Sequence, residues 1–305
     1  MRFDSENSSR LKNQTECPIC GNGTEVGLAV WHRQCHECGL EISTLEVAIN
    51  RPAHQARIDE HARADALRTL RMANFEKIRD IIQLLRPAQR LALLDVGAAH
   101  GWFVEMMARD GVSAVGIEPD EAVPMVPLPP NAEVRRGFFP DAVRDGERFD
   151  VISFNDVFEH LPHPRQALAA CLGLLNERGL VVLNLPDSRG TVYRLTRAAY
   201  RLGLRRPFER MWQVGLPSPH LQYFATPNLR VLADRAGFEV RHAGTLASVT
   251  SNGLWRRIRF ESDRSALSAA PMWLAAMSLV PVLRWLPADI SLVVLEKRDG
   301  AHVHS

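Results

Sequence analysis

The chain has 305 residues, 46% hydrophobic and 24% charged, which gives one large domain plus a small appendage and excludes a disordered protein. A net charge of +2 lacks the basic excess of a dedicated nucleic-acid binder, so nucleic acid is not an expected partner. No window supplies the roughly eighteen uninterrupted apolar residues of a membrane span, and the nearest, 271–287, is broken by Pro281 and Arg284. The start, MRFDSENSSRLKNQ, is polar and has no apolar core of a secretory signal, so a cytoplasmic, reducing setting is expected.

Four of the five cysteines fall in CPICGNGTEVGLAVWHRQCHEC, residues 17–38, as two C-x2-C pairs. Thiolates spaced this way on two tight turns close the four-coordinate shell of a structural zinc site, and each pair is followed by a turn-permitting glycine, Gly21 and Gly39. Cys17, Cys20, Cys35 and Cys38 are therefore the expected zinc ligands, in a zinc ribbon over 1–45. Two disulfides are the alternative in an oxidising setting. His32 and His36 read as solvated or as supports of the thiolates. The fifth cysteine, Cys171, sits in an apolar helical stretch and reads as core.

Residues 46–88 are rich in helix formers, with Leu67, Leu70, Phe75, Ile78, Ile81 and Leu85 near helical spacing, and read as a helical linker packed on the main domain and ended by Pro87. Beyond it, apolar runs alternate with helical stretches: RLALLDVG (90–97), SAVGIEPD (113–120), ERFDVISFND (147–156) and GLVVLNLPD (179–187). TPNLRVLADRAGFEV (226–240) adds a helix and a strand, and DISLVVLEKR (289–298) a last strand. Such alternation predicts an α/β fold, a Rossmann-like parallel sheet with helices on both faces, because a parallel crossover usually takes a helix.

The turn LLDVGAAHGWF closes the first run with D-x-G-x-x-x-G and opens a helix, which places backbone amides at the carboxyl end of the sheet. A dinucleotide fingerprint would need glycines at 97, 99 and 102, but 99 is Ala and 102 is Trp, so a pyrophosphate ligand is disfavoured. A cofactor without phosphate, S-adenosylmethionine, suits the turn better. Asp95 would orient its methionine portion, and Glu118, at the end of the next run, would grip the ribose hydroxyls.

On these residues, from about 88 to 245, the chain resembles the class I S-adenosylmethionine-dependent methyltransferases. It carries the E-H-L-x-x-P sequence of a large subgroup as DVFEHLPHP (156–164), and its H-x-x-Y-F-x-x-x-x-L pattern as HLQYFATPNL (220–229). The resemblance implies a cofactor-binding set of Asp95, Gly97, Ala98, Ala99, Gly101, Glu118, Phe138, Asn155 and Asp156. Ala99 stands where the family most often has glycine. Phe138 stands where many members have an acid, which implies apolar contact with the adenine there.

Methyl transfer needs alignment, exclusion of water and, for a hydroxyl acceptor, a base. His220 is the candidate base, since the resemblance puts the corresponding histidine beside the acceptor in some sugar C-methyltransferases, which also carry an N-terminal zinc-binding domain. A structural role, holding its loop against Tyr223, is the alternative. Asp156, Glu159 and His160 resemble in spacing the divalent-metal site of quinone-biosynthesis O-methyltransferases, which would assist a hydroxyl acceptor. In many relatives the same Glu and His serve without metal.

Two insertions, 189–217 and 246–287, interrupt the methyltransferase domain expected over 89–298, and both combine arginines with Trp, Leu and Met. They read as a lid or as a platform that touches an anionic membrane, at the inner membrane face through 255–287, and grips a lipid-linked acceptor. The expected function is transfer of a methyl group to a small-molecule, glycan or lipid-linked acceptor, at a hydroxyl. The rival readings are a methyltransferase of RNA or protein that uses the ribbon for recognition, and a binding protein with a non-catalytic cofactor fold.

Overall fold

The alternating apolar runs assemble into a seven-stranded sheet in a computed structural model that describes residues 16–50, 60–87, 90–248 and 285–300, with scattered positions between 255 and 278. In chain order the sheet uses β4 (Ala92–Val96), β5 (Ser113–Glu118), β6 (Ala132–Arg136), β7 (Phe149–Asn155), β8 (Leu175–Pro186), β10 (Phe238–Leu246) and β11 (Ile290–Lys297). Their spatial order is β10-β11-β8-β7-β4-β5-β6. From β6 to β8 every neighbouring pair is parallel. β11 runs antiparallel to both β8 and β10, so the expected Rossmann-like sheet is mixed. β6 was not among the expected strands, because its AEVRR sequence shows little of the apolar character that marks the others.

Helices cover both faces, as parallel strands require. On one face α1 (Glu60–Leu85) and α2 (Trp102–Arg109) bury Phe75, Ile78, Ile82, Phe103 and Met107 against the sheet. On the other, α3 (Pro164–Leu174) and α6 (Thr226–Arg235) bury Leu168, Leu172, Leu229 and Leu232, and Cys171 lies fully in this core. Each large apolar side chain so buried contributes about 1.5–3 kcal/mol. α1 packs on the main domain, with Asn74 Nδ2 donating to Ala247 O at 3.0 Å. The sequence between β8 and β9 (Gln222–Tyr223) forms α4 (Thr191–Arg201) and α5 (Arg205–Met211).

A second sheet joins the cysteine-rich segment to this domain. β1 (Thr24–Val26), β2 (His32–Cys35) and β3 (Glu41–Ser43) form an antiparallel meander, and β3 pairs with β9 through Glu41 to Tyr223 and Ile42 to Gln222. Glu41, at 2% exposure, accepts from His32 Nε2 at 2.8 Å, Tyr193 Oη at 2.7 Å and Arg197 Nη1 at 2.6 Å. Around it Trp31, Tyr193, Phe208, Trp212 and Tyr223 pack ring to ring. His32 is thus buried in this joint rather than solvated, whereas His36 is exposed beside Glu25.

No helix among the described residues is long and apolar enough to cross a membrane. Most of the insertion 246–287, including most of 255–287, lies outside the described residues.

Candidate active site

Strand order reverses between β4 and β7, whose other neighbours are β5 and β8, and open α/β sheets bind ligands at such a switch point, beyond the carboxyl ends. Asp95 near the end of β4 and Asn155 at the end of β7 meet there. Asp95 Oδ1 accepts from Ser153 Oγ at 2.7 Å and from Asn155 Nδ2 at 2.9 Å. Burial pushes the Asp95 carboxyl up to about 7, against those two hydrogen bonds. A buried carboxyl whose pKa is raised in this way marks a candidate ligand site.

The glycine turn sits directly over it. Gly97 has φ 72°, and a Cβ added there would meet Val157 Cγ2 at 2.3 Å, so this turn packs on the loop that follows β7. Gly97 N–H and Ala98 N–H both donate to Ile117 O, while Ala99, at φ 46°, donates its N–H to Glu118 Oε2 at 2.8 Å. Glu118 Oε1 accepts from Asp120 N at 2.8 Å, and burial raises its pKa. Ala98 fills the space beside Gly116, and Gly101, at φ 80°, precedes α2. Gly137 N–H donates to Glu118 O, which brings the half-exposed Phe138 alongside the Glu118 strand end. Eight of the nine predicted cofactor residues thus gather around the carboxyl ends of the parallel strands, and the ninth, Asp156, pairs with Arg71 of α1. A buried carboxyl, a second carboxyl at the adjoining strand end and a turn whose Gly97 carries no Cβ fit an amino acid joined to a ribose, as in S-adenosylmethionine.

Glu159, His160 and His220 form a second cluster. After β7, a 3₁₀ turn at Phe158–His160 buries Glu159, and His220 is brought against it from the start of the β9 segment. His160 Nε2 and His220 Nε2 each lie 3.9 Å from Glu159 Oε1. His160 Nδ1 donates to Pro219 O at 2.9 Å, so its lone pair is on Nε2, facing Glu159. Gln213 Nε2 lies 2.9 Å from His220 Nε2. Burial and then the His160 charge push His220 well below the usual histidine value, and burial and then the Asp156 charge push Glu159 well above the usual carboxylate value. Both shifts favour the uncharged forms of His220 and Glu159. The ligand atoms of Glu159, His160 and His220 lie within 4.8 Å of one another. Asp156, the expected third member of a metal cluster, is not in this group. Its Oδ2 lies 3.5 Å from Arg71 Nη2 on α1, and His220 takes its place. Sequence spacing gave no sign of this, because His220 arrives from 60 positions beyond His160.

The four cysteine sulfurs also converge within 4.8 Å. Cys17 Sγ is 3.5 Å from Cys38 Sγ and Cys20 Sγ is 3.4 Å from Cys35 Sγ, so all four are free thiols. Two matching turns present them, closed by Gly21 N to Cys17 O at 2.9 Å and Gly39 N to Cys35 O at 3.0 Å. Zinc–sulfur bonds of 2.3 Å in a tetrahedron space sulfurs by about 3.8 Å, and this donor set is compatible with that centre.

Residues 69–243 match the model of a family described as a methyltransferase domain, and the chain belongs to that family. Its fold is the Rossmann-like methyltransferase fold. Among curated relatives it is 36% identical over 102 residues to the ubiquinone biosynthesis O-methyltransferase of Cereibacter sphaeroides, covering 32% of this chain and 41% of that enzyme. It is 26% identical over 194 residues to the Alkalilimnicola ehrlichii enzyme of the same name, covering 61% of this chain and 74% of that one. The chain thus spans about two fifths of the length of the first of these relatives. In fold it resembles the cyclopropane synthase MmaA2 of Mycobacterium tuberculosis, with a TM-score of 0.53, 16% identity, and coverage of 80% of this chain and 96% of that one.

Proposed function

We propose that the protein methylates a hydroxyl group of a small-molecule, glycan or lipid-linked acceptor, with His220 as general base and a structural zinc in the Cys17–Cys20–Cys35–Cys38 module. The observation that carries this is a buried, uncharged His220 grouped with Glu159 and His160, next to the loop that packs on the cofactor turn. S-adenosylmethionine, when bound, supplies an electrophilic methyl group. The chain supplies the rest: Asp95 and Glu118 orient the cofactor, and the aromatic wall of Tyr193, Trp212 and Tyr223 excludes water. His220 Nε2 takes the hydroxyl proton as the acceptor oxygen attacks, and Gln213 holds the ring in place until then. The similarity to enzymes named as O-methyltransferases supports hydroxyl chemistry.

For a lipid-linked acceptor, the supporting observation is the outer face of α4 and the turn after it. Leu195, Leu202 and Leu204 are exposed there, among Arg194, Arg201, Arg205 and Arg206. Failure of the protein to co-sediment with anionic liposomes would remove this part of the proposal.

A second reading is favoured by the same cluster: Glu159, His160 and His220 hold a divalent cation that polarises the acceptor hydroxyl. Activity lost on chelation and restored by magnesium or zinc supports it, and activity indifferent to chelator ends it.

The test is methyl transfer from radiolabelled S-adenosylmethionine to cell extract divided into lipid, polysaccharide, nucleic-acid, protein and small-molecule pools. Label in the lipid, polysaccharide or small-molecule pool, lost in Glu118→Ala and His220→Ala, is the expected result. Label in nucleic acid or protein overturns the acceptor class.

A further inference from the structure

The cofactor cleft and the acceptor cluster are held by different parts of the molecule. Asp95, Gly97 and Glu118 are fixed by β4, β5 and β7 of the main sheet. His220 sits on a segment whose only formal strand, β9, has two residues, too few to hold a conformation alone. In its sheet β9 has one neighbour, β3, which belongs to the cysteine module.

The contact continues to His220 itself. Ser43, fully buried, donates its Oγ–H to His220 O at 2.7 Å and its N–H to Leu221 O at 2.8 Å. Across β2 and β3, Ser43 is register partner to His32, three residues before the thiol of Cys35. On its other side the same segment is tied to the Glu159 turn, through Leu221 N–H to Glu159 O at 2.9 Å and Gln222 Nε2 to Leu161 O at 2.8 Å. A continuous run of hydrogen bonds thus leads from the cysteine turns, through β2 and β3, to the backbone of His220 and on to Glu159.

We infer that Ser43 is a positioning residue and that, through it, ordering of the four-cysteine module sets the place of His220, independently of cofactor binding. The inference rests on the zinc and His220 readings above, and it predicts a protein that loses its acceptor-side geometry when the module loses its metal yet still binds cofactor.

The test uses the full chain in three forms: as isolated with its zinc content measured, after removal of zinc by a chelator, and as Ser43→Ala with zinc retained. Amide hydrogen exchange, the ¹³Cε1 resonance of His220 and calorimetric affinity for S-adenosylhomocysteine are read in each. Stripping zinc is expected to raise exchange over 220–224 by about 10-fold or more, with 92–118 and cofactor affinity changed less than about twofold. Ser43→Ala is expected to raise exchange over 220–224 and move the His220 resonance while residues 17–38 stay protected. Unchanged protection and an unmoved resonance in both forms would overturn the inference, as would loss of protection over 92–118 in step with 220–224, which would make the module a support of the whole fold only. A protein isolated without zinc refutes the metal reading alone, and Ser43→Ala then decides the positioning.

Discussion

At Asp95, a single carboxyl links folding to pH and, on the reading proposed above, to cofactor binding. Its pKa is raised from 3.8 to about 7, so the folded chain retains a proton that the unfolded chain gives up. The sign follows: this residue costs stability increasingly between those two values and by a constant amount above about 7. Contact with the cationic amino group of a bound methionine portion favours the ionised form. Affinity for S-adenosylhomocysteine is therefore expected to fall by up to ~10-fold per pH unit below 7, with proton release on binding. Calorimetry in buffers of different ionisation enthalpy measures both. At His220 the shift has the opposite consequence. A histidine held well below 6.5 stays a competent base in mild acid, so the acid limb of the rate should lie below pH 6.5. His220→Ala should lower the rate by ~10²–10⁴ with unchanged cofactor affinity. Gly97→Ala places a Cβ 2.3 Å from Val157 Cγ2 at φ 72°, and should abolish cofactor binding before it unfolds the chain, as parallel binding and melting measurements would show.

Between elements, the joint of β3, β9 and α4 turns on Glu41, which accepts from three partners in a buried setting. Glu41→Ala would leave His32 and Tyr193 without it and uncover the Arg197 charge, a change expected to cost about 3 kcal/mol and visible as a lower Tm. This joint also marks the boundary of what the sequence discloses. The strands β4, β5, β7, β8 and β11 are legible because their apolar runs are buried on both faces. Asp95, Glu118 and the cysteine pairs are legible because strand ends and C-x2-C turns fix them locally. β6 is not, since its Arg135 is satisfied by Glu133 and Glu147 rather than by an apolar core. The pairing of β3 with β9 joins residues about 180 positions apart through backbone groups, which carry no side-chain signature. Separation in sequence likewise hid the burial of His32 against Phe208 and Trp212 and the meeting of His220 with Glu159, 61 positions away.

Over the whole molecule, the cysteine module is too small to bury a core of its own, so metal ligation would supply what burial cannot. One zinc per chain is expected, and Cys35→Ser should lower Tm and zinc content together. The last strand bears on a different matter, the order in which the chain can be completed. β11 lies between β8 and β10, so β8 has no partner on that side until residue 290 is made, 104 positions after β8 ends at 186. At about 5–20 residues per second, a ribosome leaves Val181, Val182 and Leu183 at an unpaired sheet edge for about 5–20 seconds. β10 emerges in that interval with no native neighbour to receive it. The nascent chain therefore passes through a stage in which a long apolar edge is open to wrong pairing, and sheltering by a chaperone during synthesis should matter more to its yield than the stability of the finished fold.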